Sequence, residues 1–209
     1  MKQKTILGAN MLHRDFFHQP TLELAKSLLG KLLVKENSDE TTAGYIVETE
    51  AYIGPIDKAA HSYLNRRTKR TEVMFGEPGF AYTYVMHTHC LVNVVSGEQE
   101  KPEAVLIRAL EPAIGLEFMR ERRNVITDRD LTNGPGKLTK ALGITMEDYG
   151  HFLAVPPLFL AEGFKPSGIS AGKRIGIDSS EEARDYPWRF WVTDNKFVSR
   201  HQKATEIIL

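Results

Sequence analysis

The sequence predicts a largely antiparallel α+β fold in a single domain. Strand-like segments outnumber helical ones, and most follow each other directly along the chain instead of alternating with helices, which argues against a doubly wound sheet. At 209 residues, 42% hydrophobic and 26% charged, the chain has the ordinary composition of a globular domain and can bury a core without staples. No internal repeat, low-complexity tract or Pro/Gly/Ser-rich linker marks a boundary, so residues 1–209 are read as one compact domain.

The elements follow in order. Pro20 to Leu29 reads as a helix opened by proline, with Leu22, Ala25, Leu28 and Leu29 on one side and Gly30 as its stop. Lys31–Lys35 and Gly44–Tyr52 read as strands, and Asn37-Ser38-Asp39 between them makes a hairpin. Asp57 to Leu64 reads as a short helix after the Gly54-Pro55 turn. Phe80 to Val95, rich in tyrosine, valine and threonine, reads as two strands bent near His87 and Thr88. Ala104–Ala109 is another apolar strand. Ala113–Arg123 reads as a helix whose last turn carries Arg120, Arg122 and Arg123, where cations suit the helix dipole. Gly136–Leu142 is a short helix closed by Gly143. Phe152–Leu160, Arg174–Ile177 and Arg189–Val192 are the late strands.

Composition narrows the function classes. Cys90 is the single cysteine, so neither an internal disulfide nor a cysteine-rich zinc site is available; this fits a reducing cytosol. Two positive charges precede Ile6-Leu7, but Asn10, His13, Arg14 and Asp15 interrupt the apolar stretch, so it does not read as a secretory signal. The most apolar run, Phe152 to Ala161, is too short for a bilayer and contains Pro156-Pro157. The expected place is therefore the cytoplasm, with no membrane contact. With 27 basic and 27 acidic residues, the net charge of zero gives no bulk sign of a polyanion partner.

Three local patterns can carry chemistry. On the strand ending at Tyr52, alternation puts Ile46, Glu48, Glu50 and Tyr52 on one face, with the two carboxylates roughly 7 Å apart. They read either as a solvated face or as a general base with a neighbouring acid. Asp57 and His61 follow closely and extend the polar cluster. Tyr82 and Tyr84 share a strand face, as half-buried packing or as a platform for a planar ligand. His87-x-His89 is a weak metal signal with no downstream cluster, since His151 and His201 stand alone. Arg66, Arg67, Lys69 and Arg70 form one basic group and Arg120, Arg122 and Arg123 a second; each reads as a solvated run or as a phosphate stripe. Gly134-Pro135-Gly136-Lys137, opening a helix, reads as a phosphate site or a simple turn, and lacks P-loop spacing.

Taken together, these segments resemble the alkyladenine (3-methyladenine) DNA glycosylase family. The resemblance is carried by Val47-Glu48-Thr49-Glu50-Ala51-Tyr52-Ile53-Gly54-Pro55 with Asp57 and Ala59-Ala60-His61-Ser62. It continues through Met74-Phe75, Pro78-Gly79, Tyr82-Thr83-Tyr84, Asn93, Ile107-Arg108-Ala109-Leu110-Glu111-Pro112 and Asn133-Gly134-Pro135-Gly136-Lys137-Leu138. These pieces run in order from about Ala25 to Leu142, with a weaker tail through Trp188-Arg189-Phe190.

The resemblance implies one domain around a curved antiparallel sheet with surrounding helices. It implies a monomeric, monofunctional glycosylase without metal or organic cofactor, whose partner is duplex DNA. Such an enzyme flips alkylated purines (3-methyladenine, 7-methylguanine, often hypoxanthine) out of the helix and hydrolyses the N-glycosidic bond. Carried over residue by residue, Glu50 is the general base and Arg108 positions the water and the nucleotide. Tyr52 and Tyr84 sandwich the base, His61 meets its edge, and Asn93 crowds out the guanine 2-amino group. Arg66, Arg67 and Lys137 are the expected phosphate contacts.

One segment departs from the family pattern. A tyrosine followed by glycine is usual at the hairpin tip, where it fills the gap left by the flipped base. Here the segment reads Val85-Met86-His87-Thr88-His89-Cys90, one residue shorter before Asn93. His87 is the positional candidate for the wedge, with Met86 as the alternative; its other reading is a hydrogen-bonded histidine at an exposed hairpin tip. Two rival functions remain open on the sequence: a lesion-binding protein that does not cut, and a metal hydrolase using His61, His87, His89 and Glu50.

Overall fold

The computed structural model describes residues 10–200 and 204–208; the signal-peptide question at the N-terminus and His201 fall outside them. The order is α1 (Thr21–Ser27), β1 (Leu32–Glu36), β2 (Thr41–Tyr52), β3 (Ala81–Met86), β4 (His89–Ser96), β5 (Glu103–Ile114), α2 (Leu116–Arg123), α3 (Asp128–Thr132), α4 (Pro135–Leu142), β6 (Ala154–Val155), β7 (Leu158–Ala161), β8 (Ile169–Gly172), β9 (Arg189–Val192) and β10 (Glu206–Ile208). The strands join in one curved sheet, and every strand pairing among the described residues is antiparallel. Leu24, Leu28, Met119, Leu131, Leu138 and Leu142 bring the helices onto a core of β2, β4 and β5 side chains such as Ile46, Val94 and Ile107. The result is the single α+β domain with a surrounding helical layer.

β2 is the hub. One edge pairs with β5 along almost its whole length. The other edge is shared, with β1 taking residues 41–45 and β9 taking 48–50. Where the shared edge changes partner, the β2–β5 ladder slips twice. Ile46 faces Leu110 and Glu48 faces Ala109, leaving Val47 unopposed; Thr49 then faces Ile107, leaving Arg108 unopposed. A bulge on each strand restores the register while re-aiming the side chains between them. Strict alternation therefore fails at Ile46, which joins Val47 in the main core. It holds from Glu48 to Tyr52, whose side chains share partners.

Several expected elements need correction. The helix expected over Asp57–Leu64 is a run of turns and short 3-10 pieces, Gly54–Ile56 and Tyr63–Asn65. The Asp57 carboxylate accepts from the backbone N–H of Ile53 and Ala59, so it holds the chain in a turn instead of a helix. The helix expected from Ala113 begins only at Leu116, because β5 runs to Ile114 and Gly115 turns the chain at φ 70°. A side chain at Gly115 would collide with the Thr41 carbonyl. Phe152–Leu160 is not one strand but the small hairpin β6–β7, broken by Pro156-Pro157, which have no N–H for a ladder. Arg174–Ile177 is a loop; the strand is β8, just before it, and Gly176 at φ 78° prevents an extended run. α3 and β10 were not foreseen. Among the described residues, no helix is long and apolar enough to cross a membrane.

Candidate active site

Arg108, re-aimed by its bulge, lies between the two carboxylates of β2. Its Nε donates to Glu48 at 3.0 Å and its Nη1 to Glu50 at 3.2 Å. Burial disfavours the guanidinium charge, but Glu50 and Glu48 outweigh it and raise its pKa. Both carboxylates are fully buried, yet their other partners differ. Glu48 accepts from Arg189 Nε at 2.7 Å, from the Ser199 N–H at 2.6 Å and from the Ser199 hydroxyl at 2.9 Å. Glu50 accepts from the Tyr52 hydroxyl at 2.8 Å on the oxygen that also meets Arg108, and from the Ile175 N–H at 2.7 Å on the other. Glu48 thus takes four donors, two of them guanidiniums, whereas Glu50 takes three, and its Oε1 meets only the Ile175 N–H, leaving a lone pair for one more donor.

A cavity of about 150 Å³ opens at Arg108; Glu50 does not line it but is bonded to three residues that do, Arg108, Tyr52 and Ile175. Tyr52, His61, Tyr84, Asn93 and Arg108 all line it, together with Tyr82, Met86, Leu106, Pro135 and the loop residues Ile175–Ile177. The residues foreseen as base contacts therefore converge on one concavity. Burial pushes the Tyr84 phenol up to about 12, with Glu50 adding to it; burial and the Glu50 charge likewise hold Tyr52 well above its ordinary value. Both therefore remain neutral rings and hydroxyl donors. His61 packs edge-on to Tyr84, centroids 4.6 Å apart, and its Nδ1 is 2.7 Å from the Tyr82 hydroxyl. Burial, with Arg70 and Arg66 nearby, lowers its pKa to about 4, so at neutral pH it is an uncharged hydrogen-bonding edge. The Asn93 amide is fixed by donating to the Tyr82 carbonyl at 2.8 Å.

The expected DNA contacts divide. His87 and Thr88 are the two tip residues of the β3–β4 hairpin, both at positive φ, and His87 is exposed next to the exposed apolar Val85 and Met86. Arg66 is exposed. Arg67 is held by Glu72 at 2.7 Å and Glu100 at 3.0 Å and lies on the Phe75 ring, so its charge is already balanced. Lys137, on α4, donates to Asn133 at 2.7 Å. The second basic group closes helices: Arg122 donates to the Ala141 carbonyl and pairs with Glu40, while Arg123 donates to the carbonyls of Leu131 and Asp130. Among the described residues, no three His, Cys, Asp or Glu side chains gather as a metal site.

Sequence reasoning missed the far side of the site. Arg174, Ile175 and Ser199 come from the last fifty residues, and Asp57 turns out to face Arg174 rather than the carboxylate pair. Arg189 opens an expected strand and lies in the weaker tail of the resemblance, but nothing in the sequence signals its pairing with Glu48.

Residues 15–196 match the family model described as methylpurine-DNA glycosylase. The chain is 64% identical over 186 residues to a Bacillus licheniformis protein, covering 89% of this chain and 95% of that one. It is 62% identical over 191 residues to a Bacillus subtilis protein (91% and 97%) and 46% identical over 190 residues to one from Listeria welshimeri (90% and 92%). All three bear the provisional name 3-methyladenine DNA glycosylase.

Proposed function

This chain belongs to the methylpurine-DNA glycosylase family, and on that premise we propose that it releases 3-methyladenine and 7-methylguanine, with hypoxanthine as a further candidate, from duplex DNA. It acts as a monomer in base excision repair, on cytoplasmic chromosomal DNA. The observation that carries the mechanism is Glu50: a buried carboxylate braced by Arg108, Tyr52 and the Ile175 N–H, with one acceptor site left on Oε1.

A damaged purine is extruded because its atoms are unreachable inside the stack, and a weakly paired base costs least to extrude. Tyr52 and Tyr84 hold the flipped base between neutral aromatic faces, which favour the positive charge of N-alkylated purines. Neutral His61 meets the base edge, and Asn93 crowds a 2-amino group. Glu50 Oε1 accepts a proton from a water positioned with Arg108. The water oxygen bonds to C1′ as the C1′–N bond breaks and its electron pair leaves with the purine. The carboxylate also stabilises the oxocarbenium-like sugar. His87, with Met86 beside it, fills the vacated space in the duplex.

Glu50→Gln keeps the shape and loses the base. Its single-turnover base release from duplexes with one defined lesion should fall at least about 100-fold, while lesion binding persists. Full release by this variant would remove Glu50 as the base. Tight lesion binding without release by the wild-type protein would instead identify a lesion-binding protein.

A further inference from the structure

Against the Tyr52 ring lies a second buried ion pair that the mechanism above does not use. Arg174 and Asp57 both have fully buried side chains. Arg174 Nη1 and Nη2 grip the two carboxylate oxygens of Asp57 at 2.5 and 2.8 Å. The same two nitrogens donate to the carbonyls of Ala51, at 2.9 Å, and Ala183, at 3.1 Å. The guanidinium lies 4.6 Å from the centroid of the Tyr52 ring and 5.1 Å from that of Trp188. Its remaining donor, Nε, is buried with no partner among the described residues.

Three links lead from Arg174 towards Glu50. The Ala51 carbonyl fixes the end of β2 one residue after Glu50. Tyr52, whose ring rests on the guanidinium, donates its hydroxyl to Glu50. Ile175, the next residue after Arg174, donates its N–H to the other Glu50 oxygen. Two of the three donors that orient Glu50 are therefore anchored by one side chain, and only Arg108 is independent of it. A core staple would need neither a planar fork against an aromatic wall of the cavity nor an unsatisfied buried donor.

We propose that Arg174, clamped to Asp57, is a positioning residue for base release: it sets the plane of Tyr52 and, through the Ile175 N–H, the orientation of the Glu50 carboxylate. This rests on Glu50 acting as the general base. Lysine at this position keeps the charge and one contact to Asp57 but cannot supply the fork or the planar stack.

The test is a double-mutant cycle read by single-turnover release from a duplex with one 7-methylguanine. Binding to a duplex carrying a tetrahydrofuran abasic analogue is measured in parallel. Arg174→Lys should slow release by about 10- to 100-fold, the range expected when a reacting group is misplaced, with abasic-duplex affinity within about 3-fold. In the Glu50→Gln background, the same substitution should cost less than about 3-fold, since its target is already gone. If Arg174→Lys does not fold, Asp57→Asn takes its place in the cycle. Equal losses in both backgrounds, a parallel loss of binding, an unchanged release rate, or failure of both variants to fold would overturn the proposal. If the wild-type protein releases no base, or Glu50→Gln releases it fully, the functional reading fails first, and that outcome is visible in the control arms.

Discussion

Glu48 and Glu50 are the same side chain two positions apart on one strand, and their partners divide their work. Glu48 faces two guanidiniums and both donors of Ser199, so removing it leaves Arg108 and Arg189 buried without that compensation. Glu48→Ala should cost about 3–5 kcal/mol in urea denaturation, and a loss under about 1 kcal/mol would show that the cluster is not held this way. The pair was visible in the sequence because two carboxylates share one strand face. How their partners divide was not visible, because the deciding ones are remote: Ser199 is 151 positions from Glu48, and Ile175 is 125 from Glu50. His61 gives a second residue-scale expectation. Its folded pKa of about 4 lies below the ordinary 6.5, so the unfolded chain binds the extra proton first. This residue's contribution to stability is fully present above about pH 6.5 and is lost as the pH falls towards 4. A His61 ring signal in NMR that titrates near 6.5 in the folded protein would contradict this environment. Arg70→Gln should move its midpoint upward, since Arg70 is one of the causes.

At the scale of elements, the legible parts were those fixed by local chemistry. The β1–β2 hairpin, the β3–β4 bend at His87-Thr88, and α4 with its Gly143 stop all depend on residues close in sequence. The missed parts depend on non-local pairing: the paired bulges at Val47 and Arg108 exist only because β2 and β5 meet, and Arg174–Ile177 alternates like a strand, but its residues Ile175–Ile177 line the cavity. The β3–β4 tip also shows a local conflict. A two-residue hairpin turn with both residues at positive φ favours Asn-Gly, yet here the pair is His87 at 47° and Thr88 at 70°, and threonine is β-branched. Thr88→Gly should therefore stabilise the protein by about 1 kcal/mol, seen as a higher melting temperature. His87 is untouched in that variant, so base release should stay near wild type. His87→Ala, in contrast, should weaken extrusion of a lesion opposite a paired base more than release from a mismatch, where flipping costs less.

At the scale of the whole molecule, zero net charge conceals an uneven distribution of cations. Arg108, Arg174 and Arg189 are buried against Glu48, Glu50 and Asp57. Arg67 is paired twice, Arg120 meets Asp128, and Arg122 and Arg123 close helix ends. Arg66, Lys69 and Arg70 are exposed and, among the described residues, have no carboxylate partner. Arg66 and Arg70 act on His61, and Arg70 lies 6.0 Å from the Tyr84 ring, so this group borders the cavity. Lys137, 4.0 Å from Asp130, is only loosely paired and still able to meet a phosphate. Counterion release scales with the phosphates neutralised, so three or four such cations set a slope of log K against log salt of roughly −3 to −4. Were the buried and helix-closing arginines also contacting DNA, the slope would be far steeper. Arg66→Gln and Arg70→Gln should each flatten it by about 1. Arg67→Gln should leave it unchanged, because that guanidinium already has two carboxylates for counterions. Fluorescence anisotropy on an undamaged duplex at several salt concentrations separates these cases, and an equal effect of Arg67→Gln would mean that its ion pairs open when DNA binds.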